Sequence, residues 1–93
     1  MRIKVLYFAA VRDLVGREEE TVDLPPEVRA IADFARWIAS HHAPLGGRMA
    51  SVRIARNETF ARPDEALVEG DVVALIPPVA GGSGQMRRGP PAR

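Results

Sequence analysis

Cysteine is absent from this chain, and that absence removes disulfides, thiolate nucleophiles, persulfide relays and cysteine-ligated zinc together. Any sulfur handled here must ride on something other than a side-chain thiol. Histidine is nearly as scarce, with only His41 and the adjacent His42. Neighbouring imidazoles on a helix point in different directions, so the pair reads as a solvated helix end and no metal site is expected. Long apolar runs are lacking as well: Met1 to Val11 is broken by Arg2 and Lys4, which rules out a membrane span or a signal peptide. Without a secretory signal or a disulfide framework, the expected compartment is the cytoplasm, with no membrane partner.

What is present fits one small globular domain. The 93 residues are 46% hydrophobic and 27% charged, which is ordinary for a folded protein with a single core. The formal net charge of +1 hides an uneven distribution: residues 1–82 hold ten Lys/Arg against twelve Asp/Glu, and Arg87, Arg88 and Arg93 follow. A body at −2 offers no clustered basic face for phosphates, so nucleic acid is not an expected partner.

Hydropathy patterning sets out the elements. Between Arg2 and Phe8, Ile3, Val5 and Tyr7 alternate with Arg2, Lys4 and Leu6, the period of a strand. Ala9 to Val15 are helix-compatible and Gly16 suits a left-handed stop. Glu18 to Leu24 reads as a charged edge strand ended by Pro25-Pro26. A main helix is expected from Pro26, with Val28, Ile31, Ala32, Ala35, Ile38 and Ala39 as its stripe and Phe34 and Trp37 flanking it. The segment from His41 to Gly47 reads as a loop. Val52 to Arg56 and Thr59-Phe60 read as strands around an Asn57-Glu58 turn, and Ala66 to Val68 as one helical turn. Val72 to Ile76 is nearly all apolar, as expected of a strand buried on both faces, and Pro77-Pro78 ends it. The order implies an α+β domain with a mixed sheet, and pattern alone leaves a β-grasp and a ferredoxin-like arrangement both open.

One segment stands apart chemically. A Gly-Gly pair is ordinarily a flexible linker, but Gly81-Gly82 follows a stiff Pro-Pro lead-in from the last strand, so it projects from a fixed point as a thread without side chains. The Gly-Ser-Gly that follows lacks the lysine spacing of a phosphate loop. Arg12 reads as an exposed helix charge, and Asp64-Glu65 and Glu18-Glu19-Glu20 as solvated turns and edges. No self-contained catalytic constellation emerges.

Three segments, Val5-Leu6-Tyr7-Phe8-Ala9-Ala10-Val11-Arg12-Asp13-Leu14-Val15-Gly16, Leu67-Val68-Glu69-Gly70-Asp71-Val72-Val73-Ala74 and Ile76-Pro77-Pro78-Val79-Ala80-Gly81-Gly82, together resemble the MoaD branch of the MoaD/ThiS ubiquitin-like sulfur carriers. The resemblance covers residues 1–82 and implies a β-grasp of about five strands with one main helix and a short helix after the first strand. It implies a sulfur carrier subunit of molybdopterin synthase, whose C-terminal glycine is adenylated by an ATP-using activating enzyme and converted to a thiocarboxylate. That sulfur then passes to a pterin precursor held by the large synthase subunit, in molybdenum cofactor biosynthesis. On this reading Gly82 is the acyl carrier and Gly81 the slim residue behind it, with Val79 and Ala80 completing the inserted tail. Phe8, Ile76 and, as a second candidate, Leu75 fall at the apolar partner contact, and Arg12 matches an arginine on the first helix. No bound cofactor is implied for this chain, and acid–base groups and the pterin pocket would belong to the large subunit, so the resemblance implies no activity for this chain alone.

Residues 83–93 depart from that pattern, because Ser83 to Arg93 block the carboxylate. The expected resolution is a flexible basic extension removed by a peptidase that cuts after Gly82. The alternatives are a related carrier serving thiamine or tRNA thiolation, and a β-grasp interaction module that transfers nothing.

Overall fold

A computed structural model describes residues 1–78 of the chain. Strands β1 (Arg2–Tyr7), β2 (Glu19–Asp23), β3 (Arg53–Arg56), β4 (Thr59–Phe60) and β5 (Val72–Ile76) form one sheet, with helices α1 (Ala9–Val15) and α2 (Ile31–His41). Short 3-10 turns at Ala43–Leu45 and Met49–Ser51 join α2 to β3. The strand order is β2-β1-β5-β3-β4. β1 and β5 run parallel at the centre, while β2 and β3 flank them antiparallel. This is the β-grasp arrangement, and the first and last strands lie side by side as the family resemblance implies.

The alternation in β1 decides the faces. Ile3, Val5 and Tyr7 are buried with Val73 and Leu75 of β5 and Val22 of β2, and Ile31, Phe34 and Ile38 of α2 close the core over them. Each such side chain stabilises the fold by roughly 1.5–3 kcal/mol on removal from water. Phe34, expected to flank the helical stripe, sits at its centre fully buried, whereas Ala32, Ala35 and Ala39 are only half-buried.

Two expectations fail for one reason. The main helix starts at Ile31 instead of Pro26, and Ala66–Val68 forms no helical turn. Ala30 bridges Ala66, Leu67 N–H donates to the Arg29 carbonyl at 2.8 Å, and Ile31 N–H donates to Glu65 at 3.0 Å. Those backbone groups are committed to an extended pairing, which a helix through 26–30 would break. Pro25 instead accepts from Val28 N–H in a turn, and the Asp33 carboxylate receives the free N–H groups of Arg29 and Ala30 at the helix start. These backbone donors, with Arg36 nearby, hold the Asp33 carboxyl below its ordinary range.

β2 is an edge strand, as its charge implied, but Glu20 is not solvated. It shares the inward face of β2 with Val22, its side chain is 11% exposed, and it accepts the Tyr7 hydroxyl at 2.5 Å. Burial works against its charge, yet hydrogen bonds from His42 and Tyr7 outweigh that and hold Glu20 below the usual carboxylate range. Burial, and then Glu20 itself, push Tyr7 well above the usual tyrosine range.

Candidate functional site

β5 is buried on one face only. Val73 and Leu75 face the core, while Val72, Ala74 and Ile76 are half-buried on the opposite face. No described helix covers that outer face over these residues, and the register places Leu6 and Ala55 on either side of Ala74. Together with Phe8 and Phe60 they line an apolar groove of about 600 Å³, rimmed by Asn57 and Glu58. Phe8 and Phe60 remain 45% and 52% exposed, the condition of aromatics available to a partner.

The rim is rigidly built. Asn57 and Glu58 form a two-residue turn with φ of 50° and 74°, the left-handed pair that matches strand twist in tight hairpins. Asn57 N–H donates to the Val72 carbonyl at 2.8 Å, and its side-chain oxygen accepts Val72 N–H at 2.9 Å. Buried Asp71 ties the turn down further, accepting from Arg56 Nε at 2.6 Å, Asn57 Nδ2 at 3.0 Å and Val68 N–H at 2.8 Å. Burial disfavours the Asp71 charge, but these donors prevail and hold its carboxyl below the ordinary range. The Arg53 guanidinium lies 3.8 Å from the centroid of the Phe60 ring, in a cation–π contact.

The chain leaves this sheet in a defined direction. Phe8 N–H donates to the Leu75 carbonyl at 3.3 Å, joining the ends of β1 and β5, and the Phe8 carbonyl receives the first amides of α1. Gly16, at φ 87°, closes that helix with its N–H on the Arg12 carbonyl at 2.8 Å. Pro77 and Pro78 then line one hollow together with Ala10, Val11 and Leu14 of α1 and with Leu45 and Val52. Each proline fixes its own φ, so the last described residues are stiff.

Of the residues singled out from sequence, Phe8 and Ile76 meet in the groove and Arg12 stands exposed on α1. Leu75 is corrected: it is completely buried on the core face and cannot touch a partner. Val79, Ala80, Gly81 and Gly82 lie outside the described residues. The sequence reading missed Leu6, Phe60, Val72 and Ala74. The signal was there, since Leu6 is the apolar exception on the polar face of β1, and a single long helix covers only one face of a sheet.

His41 and His42 also differ from expectation. α2 ends at His41, His42 turns extended at φ −122° and ψ 98°, and the two rings come 4.7 Å apart. His41 is exposed as a solvated helix end would be, but His42 is half-buried against Glu20.

A β-grasp with an apolar sheet face and a proline-guided exit leading to Gly-Gly defines the class of ubiquitin-like carrier and modifier proteins. The sequence profile of the ThiS family matches residues 5–82. The chain belongs to that family, the MoaD/ThiS proteins. It is 43% identical over 84 residues to the molybdopterin synthase sulfur carrier subunit of Chlamydomonas reinhardtii, covering 88% of this chain and all of that protein. Sulfur carrier subunits from other organisms match at identities down to 25%. Among solved structures, SAMP1 from Haloferax volcanii superposes with a TM-score of 0.77 at 26% identity, covering 88% of this chain and 100% of that one. The fold is also that of a chain in the complex of subunits 1 and 2 of the molybdopterin-converting factor from Helicobacter pylori 26695. That chain has a TM-score of 0.63 at 24% identity, with 88% of this chain and 100% of that chain covered. Among the described residues, no helix is long and apolar enough to cross a membrane.

Proposed function

We propose that this protein is the sulfur carrier subunit of molybdopterin synthase, acting through the carboxylate of Gly82. The observation that carries the reading is the match, at 43% identity over 84 residues, to a molybdopterin synthase sulfur carrier subunit, joined to the Pro77-Pro78 segment that precedes Gly81-Gly82 in the sequence. A free Gly82 carboxylate is unreactive until an activating enzyme couples it to AMP from ATP, releasing pyrophosphate. A sulfur donor then displaces AMP, leaving an acyl C–S bond in place of C–O. Gly81 and Gly82 suit a narrow channel, since neither carries a side chain to exclude.

This chain supplies the acyl group and a docking surface. The groove bounded by Phe8, Phe60 and Ile76 takes the large synthase subunit, and exposed Arg12 on α1 is free to meet an acidic partner group. Acid–base groups and the pterin pocket belong to the partner. Residues 83–93 must be removed by a peptidase before the cycle begins, because an amide between Gly82 and Ser83 leaves no carboxylate to adenylate.

The test is reconstitution with the chain ending at Gly82, its activating enzyme, ATP, a sulfur source, the large subunit and the pterin precursor. Dithiolene product is expected from this form, with none from the full-length chain without a peptidase and none from a Gly81→Phe variant. Thiocarboxylate that forms but is consumed only by a thiamine or tRNA thiolation system sinks the molybdopterin assignment. Equal activity of the Gly81→Phe variant sinks the threading argument.

A further inference from the structure

We propose that Glu20, His41 and His42 form a binding site for one divalent transition-metal ion of the zinc type, which clamps the end of α2 to edge strand β2. One ligand atom from each residue lies within 4.8 Å of the others, a spacing that side-chain rotation closes around a single ion.

The site is a consequence of where the helix stops. Had α2 continued, His42 would point about 100° around the axis from His41. Instead His42 N–H closes on the Ile38 carbonyl at 2.9 Å, its backbone turns extended, and its imidazole returns toward its neighbour and Glu20. The rings are held from outside the triad. His41 stacks on Trp37 with centroids 4.5 Å apart and 14° between planes, and His42 meets the Tyr7 edge at 5.7 Å.

Glu20 is the anomaly that points to a cation. It occupies an inward-facing position of β2, where an apolar residue would add to the core. Tyr7 donates to its Oε2 at 2.5 Å and Arg17 donates to Oε1 at 3.1 Å, while His42 Nε2 shares Oε2. A carboxylate oriented by a hydroxyl in this way is the outer support that metal ligands ordinarily have. The ion takes the place of the hydrogen bond between His42 Nε2 and Glu20 Oε2, with the imidazole binding through Nε2 and its other ring nitrogen carrying the N–H. His41 supplies the second nitrogen, and its exposure leaves room for a water at the fourth position.

Two imidazoles and one carboxylate favour zinc and its neighbours over calcium or magnesium, which call for oxygen-rich shells. The triad lies on the face of the sheet opposite the groove, because Glu20 pairs with core residue Val5 while Leu6 lines the groove. Metal occupancy is therefore separate from carrier docking, and the inference stands whatever sulfur pathway the protein serves.

The chain has only these two histidines and no cysteine, so any imidazole that binds metal is identified without ambiguity. The experiment titrates untagged full-length protein with Zn²⁺ alone, by calorimetry and by NMR of the histidine side chains. One ion per chain is expected, with both imidazole spin systems shifted and the melting temperature raised. His41→Ala and Glu20→Gln, each checked by circular dichroism, are each expected to weaken Zn²⁺ binding by at least about tenfold. His41 is exposed, so its removal leaves the fold intact. Absence of saturable one-to-one binding, unmoved imidazole signals, or a smaller loss of affinity in folded His41→Ala overturns the proposal.

Discussion

Phe8 and Leu75 share a backbone hydrogen bond of 3.3 Å yet present their side chains to opposite faces of the sheet. Phe8 is 45% exposed at the groove, and Leu75 has no exposed surface. One ladder thus separates an exposed aromatic from a core side chain where the last strand ends.

The two residues should fail differently when changed. Leu75→Ala should destabilise the fold by about 2–5 kcal/mol, read from urea unfolding, through lost transfer energy and the cavity left behind. Phe8→Asp should alter stability by no more than about 0.5 kcal/mol. The same substitution should weaken the complex with the large subunit by at least about tenfold, measured by calorimetry. Phe8→Asp binding as tightly as wild type would place the docking surface elsewhere.

Acid should loosen the rim of the groove through Asp71. Its carboxyl is held below its ordinary range in the folded protein and returns to about 3.9 when unfolded. The unfolded state therefore binds the proton more readily at low pH. The stabilisation is complete above the unfolded value and is lost as pH falls through the folded one. Asp71→Asn should cost about 1–3 kcal/mol at neutral pH. The gap from wild type should narrow as pH falls below about 4. Parallel stability curves across that range would contradict the linkage.

Glu58 occupies the second turn position at φ 74°, where a side chain is disfavoured. Glu58→Gly should raise stability by roughly 0.5–1 kcal/mol, since glycine relieves the left-handed penalty and returns part of it in entropy. A urea midpoint that falls would show that the Glu58 side chain contributes more than its backbone costs.

Much of this was legible in the chain because the patterns were short-range. The alternation of Ile3, Val5 and Tyr7 set the first strand, Gly16 ended α1, and the charge of Glu18 to Glu20 marked an edge. What escaped was long-range. The start of α2 depends on Ala30 meeting Ala66, a pairing 36 positions apart, and no local propensity encodes it. The apolar run in β5 implies burial on both faces, because a half-buried apolar groove face and a core face share the same composition. His41 and His42 converge only because α2 ends between them, and adjacent positions carry no local signal for that stop.

The central claim is that Gly82 becomes a carboxylate and then carries sulfur. Its most direct test is the intact mass of the protein isolated from its own cells during molybdenum cofactor synthesis. A species ending at Gly82 is expected, with a fraction in which one carboxylate oxygen is replaced by sulfur. Uniformly full-length protein retaining Ser83 to Arg93 would contradict it.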